Sequence, residues 1–475
     1  MPPDKSVDEA IRRAVDPALL LIAGAYLIAA LVGLPLFGDG GYYFFKLATD
    51  GEPLLPNLRY TALLPQLPGL AAMQFTADPV LMRHVFSISY QSLPWLSLAA
   101  CWLLLRRRMP WLMLLPLLSV AGTLLNFSAV SELLSGLYLV WPLVLAMALA
   151  PERPWVRIYA FLSGPLLLAL HPMAFVLAFA LAAAAGFIAW RAPDLRRVWR
   201  RLAIWIGVNG LIRLVWTLVG ANAYERTNLT DTGMAHYLLP ETAMQQLLLG
   251  AVLVCALLAV GAELLRRPPT LTARRHALVD WMLGFACALL LFASIGVSAE
   301  FLLGQGIKLK AGLTFVVAVL LMGLAFLVGS LSRADAATGA MQACRGGLPY
   351  RLVAAAILTL VLAKSAAWWT ATRGLQDAIA DSSGPCIGFS VDQPFGLQWP
   401  WMNIVDDWVG PVNALAFRPR IPRADGQGIE PMPLLLPGDG CRVLDATVVA
   451  HMTDWMHRPW AVLNDRFGPL RVPGR

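Results

Sequence analysis

The stretch Gly38-Asp39-Gly40-Gly41-Tyr42-Tyr43-Phe44-Phe45 follows directly on the first long apolar segment and sets a carboxylate just beyond it. An acid at the end of a membrane-spanning segment meets water at little cost, while apolar surroundings raise its basicity. Asp39 is therefore a candidate general base; the alternative is an Asx-type turn in which Asp39 and its glycines end the preceding helix. Arg59, followed by Tyr60, can stand beside the Asp39 carboxylate and hold a phosphate or orient the acid, or it can snorkel to the interface. Glu132 and His171 fall in short connections between apolar segments, where ionisable groups facing a bundle interior are site candidates. A histidine before Pro172 can equally cap a helix end. Arg213 lies within an apolar segment and needs a partner or a water-filled cavity there; it too can bind a phosphate. The run Gly304-Gln305-Gly306-Ile307-Lys308-Leu309-Lys310 adds two lysines, Lys308 and Lys310, and glycines that let backbone N–H groups approach an anion.

The elements that must position these groups are apolar. Hydrophobic residues make up 58% of the chain and charged ones 14%, with a mean hydropathy of +0.64, which indicates an all-α polytopic membrane protein rather than a soluble domain. The excess of 37 Lys and Arg over 29 Asp and Glu would suggest nucleic acid as a partner in a soluble chain. Here the arginines cluster between apolar runs, as in cytoplasmic loops, so nucleic acid is set aside and the lipid bilayer is the expected partner.

A span needs about 20 apolar residues, and about 11 transmembrane helices are expected: near 17–37, 85–105, 111–126, 133–150, 158–170, 173–190, 202–219, 247–265, 277–297, 311–331 and 352–369. The first is longer than a cleavable signal core of about 7–15 residues and is expected to stay as an anchor. Counted from a cytoplasmic N-terminus, the clusters Arg106-Arg107-Arg108, Arg153 with Arg157, Arg191 to Arg201 and Arg266-Arg267 all fall inside, as the positive-inside rule requires. Residues 1–369 then form a transmembrane domain whose first outer loop, 38–84, carries amphipathic stretches at 63–73 and 79–85. Residues 370–475 form a small C-terminal α/β extracytoplasmic domain, periplasmic if the membrane is a bacterial inner membrane. Its expected strands lie at 385–391, 442–444 and 460–465, with a helix at 446–457. Cys386 and Cys441 share this domain and can pair in an oxidising compartment; they lack the tight spacing of a metal site.

This layout resembles the type C membrane glycosyltransferases, which include polyprenyl-phosphate-dependent mannosyl-, arabinosyl- and aminoarabinose transferases. The resemblance rests on the plan of the chain, on Gly38-Asp39-Gly40-Gly41-Tyr42-Tyr43, which is similar to the family's acidic motif in the first outer loop, and on Arg59-Tyr60. It implies an inverting transfer of sugar from a polyprenyl-phosphate donor to a glycan, lipid or protein acceptor at the outer face, with Asp39 as general base. Arg59, Tyr60, Arg213, Lys308, Lys310, Glu132 and His171 are the residues expected to hold substrate or phosphate. The family motif often has two adjacent acids, whereas Asp39 is followed by Gly40, so a divalent metal stays an open cofactor. Two other classes compete. A transporter or flippase of a lipid-linked sugar would use Asn209-Gly210, Arg213 and Asp280 within spans. A membrane acyltransferase would use His171 or His236 as base.

Overall fold

The structure is a computed structural model that describes residues 5–55, 59–76, 78–220, 242–251, 254, 273–303, 311–331, 347–389, 409–423, 428–437 and 458–471. Within them the chain forms α1 (Lys5–Leu31), a 3-10 turn (Leu34–Leu36), α2 (Asp39–Asp50), α3 (Leu63–Met73), α4 (Pro79–Leu105), α5 (Leu114–Thr123), α6 (Glu132–Leu149), α7 (Pro154–Leu168), α8 (Ala174–Arg191) and α9 (Arg196–Val219). After a further helical stretch at 243–251 come α10 (Ala273–Leu302), α11 (Ala311–Leu331) and α12 (Leu348–Asp381). Among the described residues 8 helices are long and apolar enough to cross a membrane. The architecture is thus all-α and polytopic in its main part.

Helix boundaries follow local chemistry. The second expected span, 85–105, begins earlier, because Asp78 caps α4 through a 3.1 Å bond from the Val80 amide and Pro79 suits the first helical position. The stretch 79–85 is therefore the first two turns of α4 and not a separate interfacial helix. The other amphipathic stretch is α3 as expected. Two of the expected spans are shorter than a bilayer requires. The 111–126 segment is a 3-10 turn, Pro110–Met113, running into the 10-residue α5, and the 158–170 segment is the 15-residue α7. The expected span at 247–265 lies largely outside the described residues. Helix α12 has 34 residues, about 51 Å at 1.5 Å per residue, so the expected domain boundary at 369/370 falls inside one continuous helix.

Helix α6 is the centre of the bundle: 83% of its apolar stretch is buried, against 33–61% for the other seven. It packs on α4, α7, α8 and α11, while α1 packs on α4 and α12. Outward faces stay apolar, as Leu20, Leu103 and Leu218 show at 69–73% exposure, which suits contact with lipid.

Beyond α12 lie a parallel pair of strands, β1 (Cys386–Phe389) and β2 (Leu434–Pro437), in register Cys386↔Leu434, and two short helices, α13 (Gly410–Phe417) and α14 (Trp460–Phe467). β1 matches the expected strand at 385–391; β2 was not expected. The expected strand at 460–465 is instead α14. Its buried residues Trp460, Leu463 and Phe467 recur at helical spacing and not at alternate positions. The expected strand at 442–444 and helix at 446–457 lie outside the described residues. Cys386 is disulfide-bonded, and Cys441, its expected partner, also lies outside them.

Candidate functional site

Helix α2 begins where a side chain would block it. Gly38 adopts φ 60 and ψ −133, a backbone conformation open essentially to glycine alone. A Cβ on Gly40 would stand 1.7 Å from the Pro35 carbonyl oxygen, and one on Gly41 would stand 2.6 Å from that of Leu36. The glycines therefore let α2 start directly against the 3-10 turn. This corrects the reading of the octet as a turn that ends a helix: it opens one. Asp39 is the first helical residue and is exposed, at the helix end whose dipole favours an anion.

One turn on, on the same face, Tyr43 is buried and its hydroxyl donates to Oε1 of Glu132, the first residue of α6. The other carboxylate oxygen of Glu132 takes Nη1 of Arg59 at 3.4 Å, with side-chain exposures of 13% for the arginine and 8% for the acid. Arg59 is thus paired with Glu132. Burial, and then the Glu132 carboxylate, drive the Tyr43 phenol far above its ordinary pKa, with the Asp39 charge adding to the effect. Tyr43 accordingly stays a hydroxyl donor.

The segment carrying Arg59 is bolted to the end of α7: the Thr61 amide donates to Ala169 O at 3.0 Å and its hydroxyl to Leu166 O at 2.7 Å. Tyr60 is 51% exposed. His171 follows α7, and its Nδ1 accepts from the Met173 amide at 3.2 Å. This bond caps the entry to α8 and leaves Nε2 to carry the proton. Burial, then the positive charges of Arg59 and Arg213, hold the His171 pKa well below its ordinary value, so the imidazole is neutral at pH 7. Arg213, 2% exposed, lies less than two turns from the end of α9; its Nη1 is 3.4 Å from Leu168 O and its guanidinium is 5.7 Å from the Trp216 ring. Arg59, Glu132, His171 and Arg213 therefore meet at one end of the bundle, connected through Tyr43 to the helix of Asp39. Lys308 and Lys310 lie outside the described residues.

The far end of α2 is held as firmly. Asp50 takes both Nε and Nη2 of Arg458 at 2.7 Å, and Lys46 at 2.6 Å. Phe45 stacks on Phe467 of α14 at 6.2 Å. Burial alone would raise the Asp50 pKa, but the bonds from Arg458, Lys46 and Thr49 outweigh it and lower the pKa from 3.8.

Sequence reasoning missed two residues near this end. Lys364 is buried inside α12, and a lone lysine in an apolar run is the signal that could have found it. Tyr90 of α4 lines a small cavity with Tyr43, Thr61 and Glu132; nothing in its local sequence marks it. Among the described residues no three His, Cys, Asp or Glu side chains are grouped to hold a metal ion. Chemically, the site joins an exposed carboxylate able to accept a proton to arginines able to hold an anion. No protein-family model, curated protein or solved structure matches this chain.

Proposed function

We propose that the protein is an integral membrane glycosyltransferase that moves a sugar from a polyprenyl-phosphate donor to an acceptor hydroxyl. In this reading the end of the bundle bearing Asp39 faces outward from a bacterial inner membrane, with the N-terminus in the cytoplasm and the C-terminal part in the periplasm. The observation that carries the reading is the coupling of an exposed acid to a buried cation: Asp39 stands one turn from Tyr43, which binds Glu132, which pairs with Arg59.

The polyprenyl tail stays in lipid and the sugar-phosphate reaches the bundle end, where Arg59 and Arg213 hold the phosphate. The acceptor oxygen attacks the anomeric carbon and forms the new glycosidic bond. The anomeric carbon–oxygen bond to phosphate breaks, and the electron pair leaves with the polyprenyl phosphate. Asp39 takes the acceptor proton. In this reading neutral His171, donating through Nε2, and the exposed Tyr60 orient polar groups of the substrate.

The test is transfer itself. The purified protein in nanodiscs is given a panel of polyprenyl-phosphate monosaccharides labelled in the sugar, with membrane glycan extract as acceptor. The expected result is a labelled product with inverted anomeric configuration. Movement of the labelled lipid across vesicles with no new glycosidic bond would replace the proposal with transport.

A further inference from the structure

Lys364 sits in α12 at 2% exposure. Its Nζ donates to Asn126 O at 2.5 Å and lies 3.5 Å from Leu124 O. These carbonyls follow the last turn of α5, where helix carbonyls lack intrahelical partners and the dipole favours a cation. Capping α5 thus occupies two of the three ammonium N–H groups. The rings of Phe127 and Phe301 flank the nitrogen at 5.8 Å each.

Lys364 also lines a cavity of about 20 Å³ with Tyr26, Tyr90, Gln91 and Tyr138. The Tyr138 hydroxyl is satisfied by Thr123 at 2.8 Å. Those of Tyr26 and Tyr90, residues 3% and 4% exposed, have no hydrogen-bond partner among the described residues. Among the described residues no carboxylate lines the cavity, and the charges of Glu132 and Asp39 reach the Tyr90 hydroxyl from the neighbouring site. A buried hydroxyl left without a partner is unfavourable, and here two tyrosines, each carrying one, line the same small cavity as Lys364. All three can donate, and among the described lining residues Lys364 alone can carry a full charge, a positive one.

We propose that this cavity binds a small inorganic anion of halide size, held by the Lys364 ammonium and the hydroxyls of Tyr26 and Tyr90. The volume suits one water-sized particle and excludes a phosphate group or a sugar. The proposal is independent of the transferase reading. It also bears on the outer site, because Tyr90 lines both this cavity and the one beside Tyr43 and Glu132.

An anion that binds only the folded state raises its stability in a saturable way. Thermal unfolding of the protein in nanodiscs is followed as sodium gluconate is replaced by sodium chloride, bromide or phosphate at constant ionic strength. The expected result is a saturable rise in Tm with chloride and bromide but not with phosphate. The half-saturating concentration should rise at least tenfold in the Tyr26→Phe/Tyr90→Phe double variant, and the response should vanish in Lys364→Met. If Lys364→Met does not fold, the double variant decides, since it removes only the two hydroxyls. No halide response in the wild type, meaning that water fills the cavity, would overturn the proposal. So would a response unchanged in the double variant, or one that phosphate matches.

Discussion

The Tyr43 hydroxyl on α2 donates to Glu132 at the start of α6, across 89 residues of sequence. Glu132 also binds Arg59, 73 residues away. One buried carboxylate therefore ties together the helix that begins with Asp39, the segment leading into α3 and the central helix of the bundle. The position of Asp39 is set by the bundle and not by a free loop.

Removing the Tyr43 hydroxyl leaves one Glu132 oxygen without that donor. Tyr43→Phe should destabilise the protein by about 1–3 kcal/mol. Glu132→Gln, which also discharges the ion pair with Arg59, should cost more, about 3–5 kcal/mol for a broken buried pair. Thermal unfolding in nanodiscs reads both; a larger loss in Tyr43→Phe than in Glu132→Gln would contradict the central place given to the carboxylate.

Gly40 and Gly24 make a matched pair of tests. Alanine at 40 would drive a methyl into the Pro35 carbonyl, 1.7 Å away, and into Val130. Gly40→Ala should cost about 3 kcal/mol or more, as severe overpacking does, and should displace Asp39. Gly24, within α1, has nothing within 4 Å of an added Cβ, so Gly24→Ala should be neutral or stabilising by about 0.5–1 kcal/mol. Equal effects at the two sites would remove the steric account of how α2 starts.

His171 gives a pH signature. Burial and the charges of Arg59 and Arg213 keep its folded pKa well below 6.5. Below pH ~6.5 the unfolded chain takes up a proton that the folded chain refuses, so stability rises with pH and falls on acidification. The loss is up to about 1.4 kcal/mol per pH unit below 6.5, until the folded pKa is reached. Comparing wild type with His171→Gln between pH 5.5 and 7.5 isolates the effect. The variant should show the flatter dependence, and an unchanged slope would contradict a His171 pKa lowered by burial and the two arginines.

The Asp50–Arg458 pair fastens α2 to the C-terminal part of the chain. Because its folded pKa is lowered from 3.8, Asp50 contributes stability fully above about pH 4 and loses it as the pH falls through the folded value. Arg458→Ala should cost about 1.5–3 kcal/mol, the range of a hydrogen bond to a charged group, and should increase protease cleavage of the C-terminal part. The exchange Asp50→Arg/Arg458→Asp should restore part of that loss. An exchange as unstable as the single variant would show that charge pairing is not what holds the contact.

Long apolar runs were the most legible part of the sequence, because a bilayer-length stretch carries its own signal. The expected span at 311–331 coincides with α11, and that at 173–190 lies one residue from α8. Short segments were less legible. An eight-residue stretch such as Trp460–Phe467, apolar at Trp460 to Leu463 and again at Phe467, fits either period until tertiary packing selects one face. Arg59, Glu132, His171 and Arg213 could each be singled out as ionisable groups beside or within apolar runs. Their pairing could not, since Arg59 meets Glu132 only through the fold. The reason for Gly40 was equally hidden, because it lies in the distance to the Pro35 carbonyl.

The most direct test of the central claim is the rate of sugar transfer by Asp39→Asn beside wild type, in nanodiscs with the same labelled polyprenyl-phosphate sugar. Asparagine keeps the size of the side chain and loses the base, so the account predicts a 10²–10⁴-fold fall in turnover with a loss of stability no larger than the roughly 0.3–1 kcal/mol of a charge at a helix N-terminus. Full turnover by a well-folded Asp39→Asn variant would contradict it and remove Asp39 as the base.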